Sequence, residues 1–197
     1  MPQLKPHNNE RYTYAEYLAW DDGKRWELID GHATCMSPAP GRRHQDLSGA
    51  LFHLLYSWLS GKPCRVYAAP FDVRFVEAQD TAADDYIDTV VQPDIVVVCD
   101  SIKLDDRGCK GSPDLIIEIL SPSTARMDMT VKFELYQRYG VREYWIVHPN
   151  DQTILVFKLL ESGLYGVPDR YCAEDTIPVP LLGDLRIDLT RVFVPVQ

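Results

Sequence analysis

Asp114-Leu-Ile-Ile-Glu-Ile-Leu120 is an apolar run with one glutamate inside it. Its length and aliphatic content read as a buried β-strand. A carboxylate in such a strand is costly unless a cation, a hydrogen-bond partner or a bound proton compensates it. Glu118 therefore asks for a partner. A second apolar run, Pro93-Asp-Ile-Val-Val-Val-Cys99, starts with another acid, Asp94. If the two strands are neighbours, both carboxylates can converge on one divalent metal.

Downstream, Ser121-Pro-Ser-Thr124 breaks the strand, and Asp128 is placed to cap a helix that runs through Tyr139 to Gly140. Lys132 lies near the start of that helix. Glu143–Val147 and Thr153–Phe157 flank His148-Pro-Asn-Asp-Gln152 as a hairpin, and short strands are expected near 164–173 and 185–194. Upstream, strands are expected at 65–69 and 71–76 around Pro70, and a polar loop with Gly108 and Gly111 separates the two acid-bearing strands.

His44 to Ser60 changes period. Leu47, Leu51, Leu54, Leu55 and Trp58 recur at helical spacing, and Gly61 and Pro63 stop the helix. Before it, Ser37 to Arg43 is a Pro/Gly-rich loop. Trp26-Glu-Leu-Ile29 and His32–Met36 flank Asp30-Gly31 as a β-hairpin. Thr13-Tyr-Ala-Glu16 fits a capping box opening a short helix to about Trp20, and residues 1–12 read as a loose tail. The sum is one domain over 13–197 of α/β or mixed α+β class, with helices on a mixed, twisted sheet.

Bulk properties narrow the function. The 197 residues are 46% hydrophobic and 25% charged, ordinary for a globular chain. No apolar run spans a membrane, and the polar N-terminus lacks the centre of a signal peptide. A cytoplasmic location is expected. The five cysteines form no Cys-x-x-Cys and read as free thiols in a reducing compartment. The net charge of −9 does not by itself favour nucleic acid, though a site needs only a local basic patch. Part of the acidity sits in one segment, Glu77, Asp80, Asp84, Asp85 and Asp88, which reads as a solvated loop.

The candidate chemistry is metal-assisted. Two carboxylates can hold Mg²⁺ or Mn²⁺, hard cations that prefer oxygen and keep several waters. Such an ion acidifies water and polarises a phosphoryl oxygen, while a lysine offsets charge developing on the phosphate. Asp94 and Glu118 are the metal-ligand candidates, and Lys132 is the lysine. His44, on the apolar stripe of its helix, should face the sheet as a supporting residue, with Glu27 as a third acid. Arg42 and Arg43 precede that helix and could attract phosphate. No phosphate-cradling glycine motif, nucleophilic serine elbow or His-Glu-x-x-His is present, so a nucleotide cofactor is not expected.

One ordered set of motifs is specific: Trp-Glu-Leu-Ile-Asp-Gly (26–31), Met-Ser-Pro (36–38), His44 opening a helix, Gln-Pro-Asp (92–94), Gly-Ser-Pro-Asp-Leu-Ile-Ile-Glu-Ile-Leu-Ser-Pro-Ser-Thr (111–124), Asp128 with Lys132 and Tyr136, and Gly-Val-Arg-Glu-Tyr-Trp-Ile-Val (140–147). This set resembles the Uma family of putative restriction endonucleases, within the PD-(D/E)xK nuclease superfamily. The resemblance implies a restriction-endonuclease-like fold, a central mixed β-sheet flanked by helices. It also implies a divalent-metal site at the sheet edge and phosphodiester cleavage, with DNA as partner and a homodimer as the expected assembly. Asp94 then matches the motif aspartate and Glu118 its second acid. The motif lysine's usual position, two residues after that acid, holds Leu120, and Lys132 on the next helix stands in for it. The alternative reading is a non-catalytic module on the same scaffold that binds DNA or a protein partner.

Overall fold

The computed structural model describes residues 6, 10–36, 39–76 and 83–194. In chain order, α1 (Tyr14–Tyr17) precedes the hairpin β1 (Trp26–Ile29) and β2 (His32–Cys35), then α2 (Arg42–Leu59), β3 (Arg65–Ala68), β4 (Val73–Arg74), β5 (Val90–Val91) and β6 (Ile95–Val98). Next come β7 (Leu104–Asp105), β8 (Gly108–Lys110) and β9 (Leu115–Ile119). A π-helical turn (Met127–Lys132) runs into α3 (Phe133–Arg138), followed by β10 (Glu143–His148), β11 (Thr153–Lys158), β12 (Asp169–Cys172), β13 (Thr176–Val179) and β14 (Leu185–Asp188).

The central sheet is mixed, in the order β12-β11-β10-β9-β6-β3. β9 and β10 are parallel and joined through α3, and the other pairs are antiparallel. A parallel pair needs a long crossover, and α3 supplies it. Strand alternation sorts the core onto the two faces. Ile95, Val97, Leu115, Ile117 and Trp145 pack under Leu47, Leu51 and Leu55 of α2 and under β13 and β14. Val96, Val98, Ile116, Tyr144 and Ile146 pack against Leu135 and Tyr136 of α3 and against Val73, Phe75 and Val91. That second covering belongs to another six-stranded sheet, β2-β1-β5-β4-β8-β7. The chain crosses between the two sheets more than once, and one crossing is the short link between β5 and β6, which contains Asp94.

Several expectations need correction. Asp128 does not cap a helix. Residues 125 and 126 are already helical, and the Asp128 amide donates to the Thr124 carbonyl at 3.0 Å, so its side chain is helix-interior and buried. Two of the five cysteines are not free thiols. Arg65 pairs with Val98, which sets Cys64 opposite Cys99, and the two form a disulfide. The loop with Gly108 and Gly111 contains β7 and β8. The helix after Thr13 ends at Tyr17 rather than near Trp20. Its cap is present: the Thr13 amide donates to Glu16 Oε2 at 2.8 Å.

The strand expected over 71–76 is confined to Val73–Arg74, and β14 gives way to a 3₁₀ turn at Leu189–Arg191. Of the expected tail, Tyr12 is buried and its amide donates to the Gly31 carbonyl at 2.8 Å, while residues 1–5 and 7–9 lie outside the described residues. Residues 37 and 38 of the predicted loop also lie outside them, as do Glu77 and Asp80 of the acidic segment. Asp84 is not simply solvated; it pairs with Arg107 and lies 3.9 Å from Arg74. No helix among the described residues is long and apolar enough to cross a membrane.

Candidate active site

The ladder between β6 and β9 runs Val97 opposite Leu115, Val96 opposite Ile116 and Ile95 opposite Ile117. One step further puts Asp94 opposite Glu118. Here the carboxylates take over from backbone carbonyls. The Ile119 amide donates to Asp94 Oδ2 at 2.8 Å, and the Asp94 amide donates to Glu118 Oε2 at 3.3 Å. Two acids distant in sequence are thus joined by strand register.

Glu118 shares the face of Ile116 and so points toward α3. Lys132 Nζ lies 2.9 Å from Glu118 Oε1, 2.9 Å from Glu27 Oε1 and 3.8 Å from Asp128 Oδ1. The Tyr136 hydroxyl donates to Glu118 Oε1 at 2.8 Å. Asp128, Lys132 and Tyr136 follow one another at four-residue steps, which keeps them on one helical face. The Tyr144 hydroxyl donates to the Asp128 carbonyl at 3.0 Å and pins this segment to β10. Glu27 arrives from β1 of the second sheet, and its Oε1 also accepts the Gln92 amide at 2.9 Å. Leu120 packs in the same α3-facing core, so the lysine reaches Glu118 from the helix.

Charge is unbalanced in this cluster. Glu27, Glu118 and Asp128 are buried around one buried lysine, with Asp94 beside them. Burial first, and then the neighbouring acids, pushes the Glu118 carboxyl up, against the opposing pull of Lys132. Asp128 is raised for the same leading reason. Burial alone would lower Lys132, but the three carboxylates outweigh it and the ammonium is held firmly charged. His44, in the first turn of α2, places Nε2 3.0 Å from Asp94 Oδ2. Burial lowers its basicity; the hydrogen bond and charge of Asp94 more than offset this and raise its pKa above the ordinary value.

Asp94, Glu118, Asp128, Lys132 and His44 line a cleft of about 390 Å³. Its walls are the start of α2 with Gly41, His44 and Ser48, the hydroxyl-bearing turn Ser121–Thr124, and Arg25 with Gln92. The structure brings Asp94, Glu118, Lys132, His44 and Glu27 into one cluster. Arg42 and Arg43 lie outside this cleft, exposed in the first turn of α2, and line an adjoining depression with Ser121 and His148. Asp128, Tyr136, Gln92 and Arg25 belong to the site without having been selected as functional residues from the sequence. Tyr136 carried a usable signal, its four-residue step from Lys132. Gln92 and Arg25 carried none, because only the pairing of β1 with β5, distant in sequence, sets them side by side.

The family model described as "Putative restriction endonuclease", Uma2, matches residues 14–190. An uncharacterized protein of Synechocystis sp., slr1290, is 26% identical over 185 residues, covering 92% of this chain and 87% of that protein. A crystal structure of a putative nuclease belonging to DUF820, from Anabaena variabilis, superposes with a TM-score of 0.70 at 20% identity, covering 92% of this chain and 97% of that one. The shared architecture is that of the nuclease-type fold read from the motifs, and the match over nearly the whole chain places this protein in the Uma2 family.

Proposed function

We propose that the protein is a Mg²⁺- or Mn²⁺-dependent endonuclease that hydrolyses phosphodiester bonds in DNA. The observation that carries this reading is the juxtaposition of Asp94 and Glu118 at the cleft floor, with Lys132 bonded to Glu118. The donor set fits a hard cation. Both candidates are carboxylates, and Asp94 Oδ1 accepts no hydrogen bond among the described residues. Glu118 Oε2 receives one long contact, from the Asp94 amide. No cage of three or more acid, His or Cys side chains is formed among the described residues. Two protein carboxylates with waters is the mode Mg²⁺ uses.

A cation held there would acidify a water and polarise a phosphoryl oxygen. The residues supply the rest. Lys132 and Tyr136 fix the Glu118 rotamer. His44 and the Ile119 amide fix Asp94. The Lys132 ammonium offsets negative charge building on the phosphate. Glu27 and Asp128 keep that ammonium charged and in place. A symmetric dimer would set two such sites against the two strands.

The test is cleavage of supercoiled plasmid by purified protein with Mn²⁺. Wild type should nick or linearise it, and Glu118→Ala and Lys132→Ala should each lose on the order of a hundredfold or more in rate. Equal rates for all three proteins would reject the assignment. A second reading is favoured by one observation: Glu118 Oε1 is already taken by Lys132 and Tyr136. In that reading the scaffold binds DNA or a protein without cutting. Calorimetric titration with Mn²⁺ separates the two, because the non-catalytic module shows no binding heat.

A further inference from the structure

We propose that Arg25 is a phosphate-binding residue of the cleft, holding the nucleic-acid backbone beside the acid pair. This rests on the phosphodiesterase reading and extends it to a residue with no assigned role.

Arg25 directly precedes β1. Its carbonyl accepts the Met36 amide at 2.9 Å, which anchors its backbone to the far end of the hairpin. The side chain is exposed along the cleft wall. Its Nε and Nη2 both donate to Gln92 Oε1, at 2.8 and 2.6 Å. Gln92 is buried, and its own amide is held in turn. Nε2 donates to Asp72 Oδ1 at 2.8 Å and to the Tyr17 hydroxyl at 3.0 Å. Those two acceptors use both Nε2 hydrogens, so the carboxamide oxygen must face the guanidinium. The Tyr14 hydroxyl, donating to Asp72 Oδ2 at 3.0 Å, locks the other end of the chain.

The result is an arginine aimed by a neutral partner. Arg11, Arg74, Arg107, Arg138 and Arg142 are each paired with an aspartate. Arg25 makes no such pair among the described residues, so its charge is not cancelled within a contact. Its remaining N–H groups form the fork that matches a phosphate. A glutamate at 92 would hold the side chain equally well but would neutralise it. Pre-positioning also limits the ordering cost of binding. On a chain of net charge −9, a cleft floored by carboxylates needs such a cation to admit a polyanion.

The experiment measures binding of a short fluorescein-labelled DNA duplex, in Ca²⁺, across a KCl series. Wild type, Arg25→Ala and Arg25→Lys are compared, and urea midpoints are recorded for each. Arg25→Ala should weaken binding roughly tenfold. It should also flatten the plot of log affinity against log salt by about 0.9, the signature of one lost phosphate contact. Arg25→Lys should restore the slope and only part of the affinity, since a point charge replaces the fork. The Arg25→Ala midpoint should fall modestly, because Gln92 Oε1 loses its donors. An unchanged salt slope in Arg25→Ala overturns the proposal, whether or not its midpoint falls. Plasmid cleavage by wild type is read in parallel. Cleavage with an unchanged Arg25→Ala slope removes Arg25 alone, whereas a wild type that neither binds the duplex nor cuts plasmid removes the endonuclease reading with it.

Discussion

Glu118 tolerates its burial because its oxygens are bonded, not because it is exposed. An ammonium, a phenol and a backbone amide all point at it. Glu143 shows the same problem away from the site. It is buried on β10 and accepts the Trp145 indole N–H at 3.0 Å. Burial raises its pKa, with Trp145 and Lys158 pulling the other way. The sign follows from linkage. An acid whose folded pKa is raised contributes stability that is complete below its unfolded value, near 4.5, and is lost as pH climbs through the folded value. Glu143→Gln keeps an acceptor for the indole and removes that loss. Wild type and variant should therefore differ least in urea midpoint below pH 4.5, and the variant should gain as pH rises through the folded value and level off above it. Parallel pH curves for the two proteins would contradict this.

At the scale of elements, long periodic segments were legible and short ones were not. The Leu47–Leu51–Leu55 stripe defined α2 because one face of that helix is buried at helical spacing, and the apolar runs around Asp94 and Glu118 defined β6 and β9 because burial on those strands is continuous. Of the second sheet, the β1–β2 hairpin was legible and the remainder escaped. Its β4, β5 and β7 have two residues each, too few to show alternation. Asp128 was misread because an acid early in a helix has the signature of a cap, whereas here that helix begins three residues sooner. Of the site, the five selected residues were visible as odd chemistry in apolar surroundings; Gln92 and Arg25 became meaningful only once the pairing of β1 with β5 set them side by side.

Gly108 shows how closely those short strands are fitted. It has φ +123°, and a Cβ there would lie 2.2 Å from the Asp72 carbonyl oxygen. That oxygen accepts the Cys109 amide at 2.9 Å. Gly108→Ala must therefore move backbone, and a cost on the order of 1–3 kcal/mol is expected in urea unfolding. Because Asp72 also holds Gln92, the same variant should disturb the cleft wall.

Across the whole molecule, the Cys64–Cys99 bridge ties β3 to β6, the strand that follows Asp94. The cysteines are 35 residues apart, and closing a loop of that size is worth about 2–4 kcal/mol. Unfolding in urea with and without a phosphine reductant should show a difference of that order, absent in a Cys64→Ala/Cys99→Ala double variant. The unexpected pairing has the same origin as the unread part of the second sheet. Cysteine counts carry no register, and only the Arg65–Val98 alignment brings these two face to face.

The way β6 and β9 come apart bears on how variants there can be interpreted. Asp94 and Glu118 each accept a main-chain N–H at the point where the two strands separate. Trimming Asp94 to alanine therefore does two things: it deletes an anion, and it leaves the Ile119 N–H without its acceptor, so the strand ends can drift. A dead Asp94→Ala protein would say little about ion binding on its own, and the isosteric asparagine is the fairer comparison.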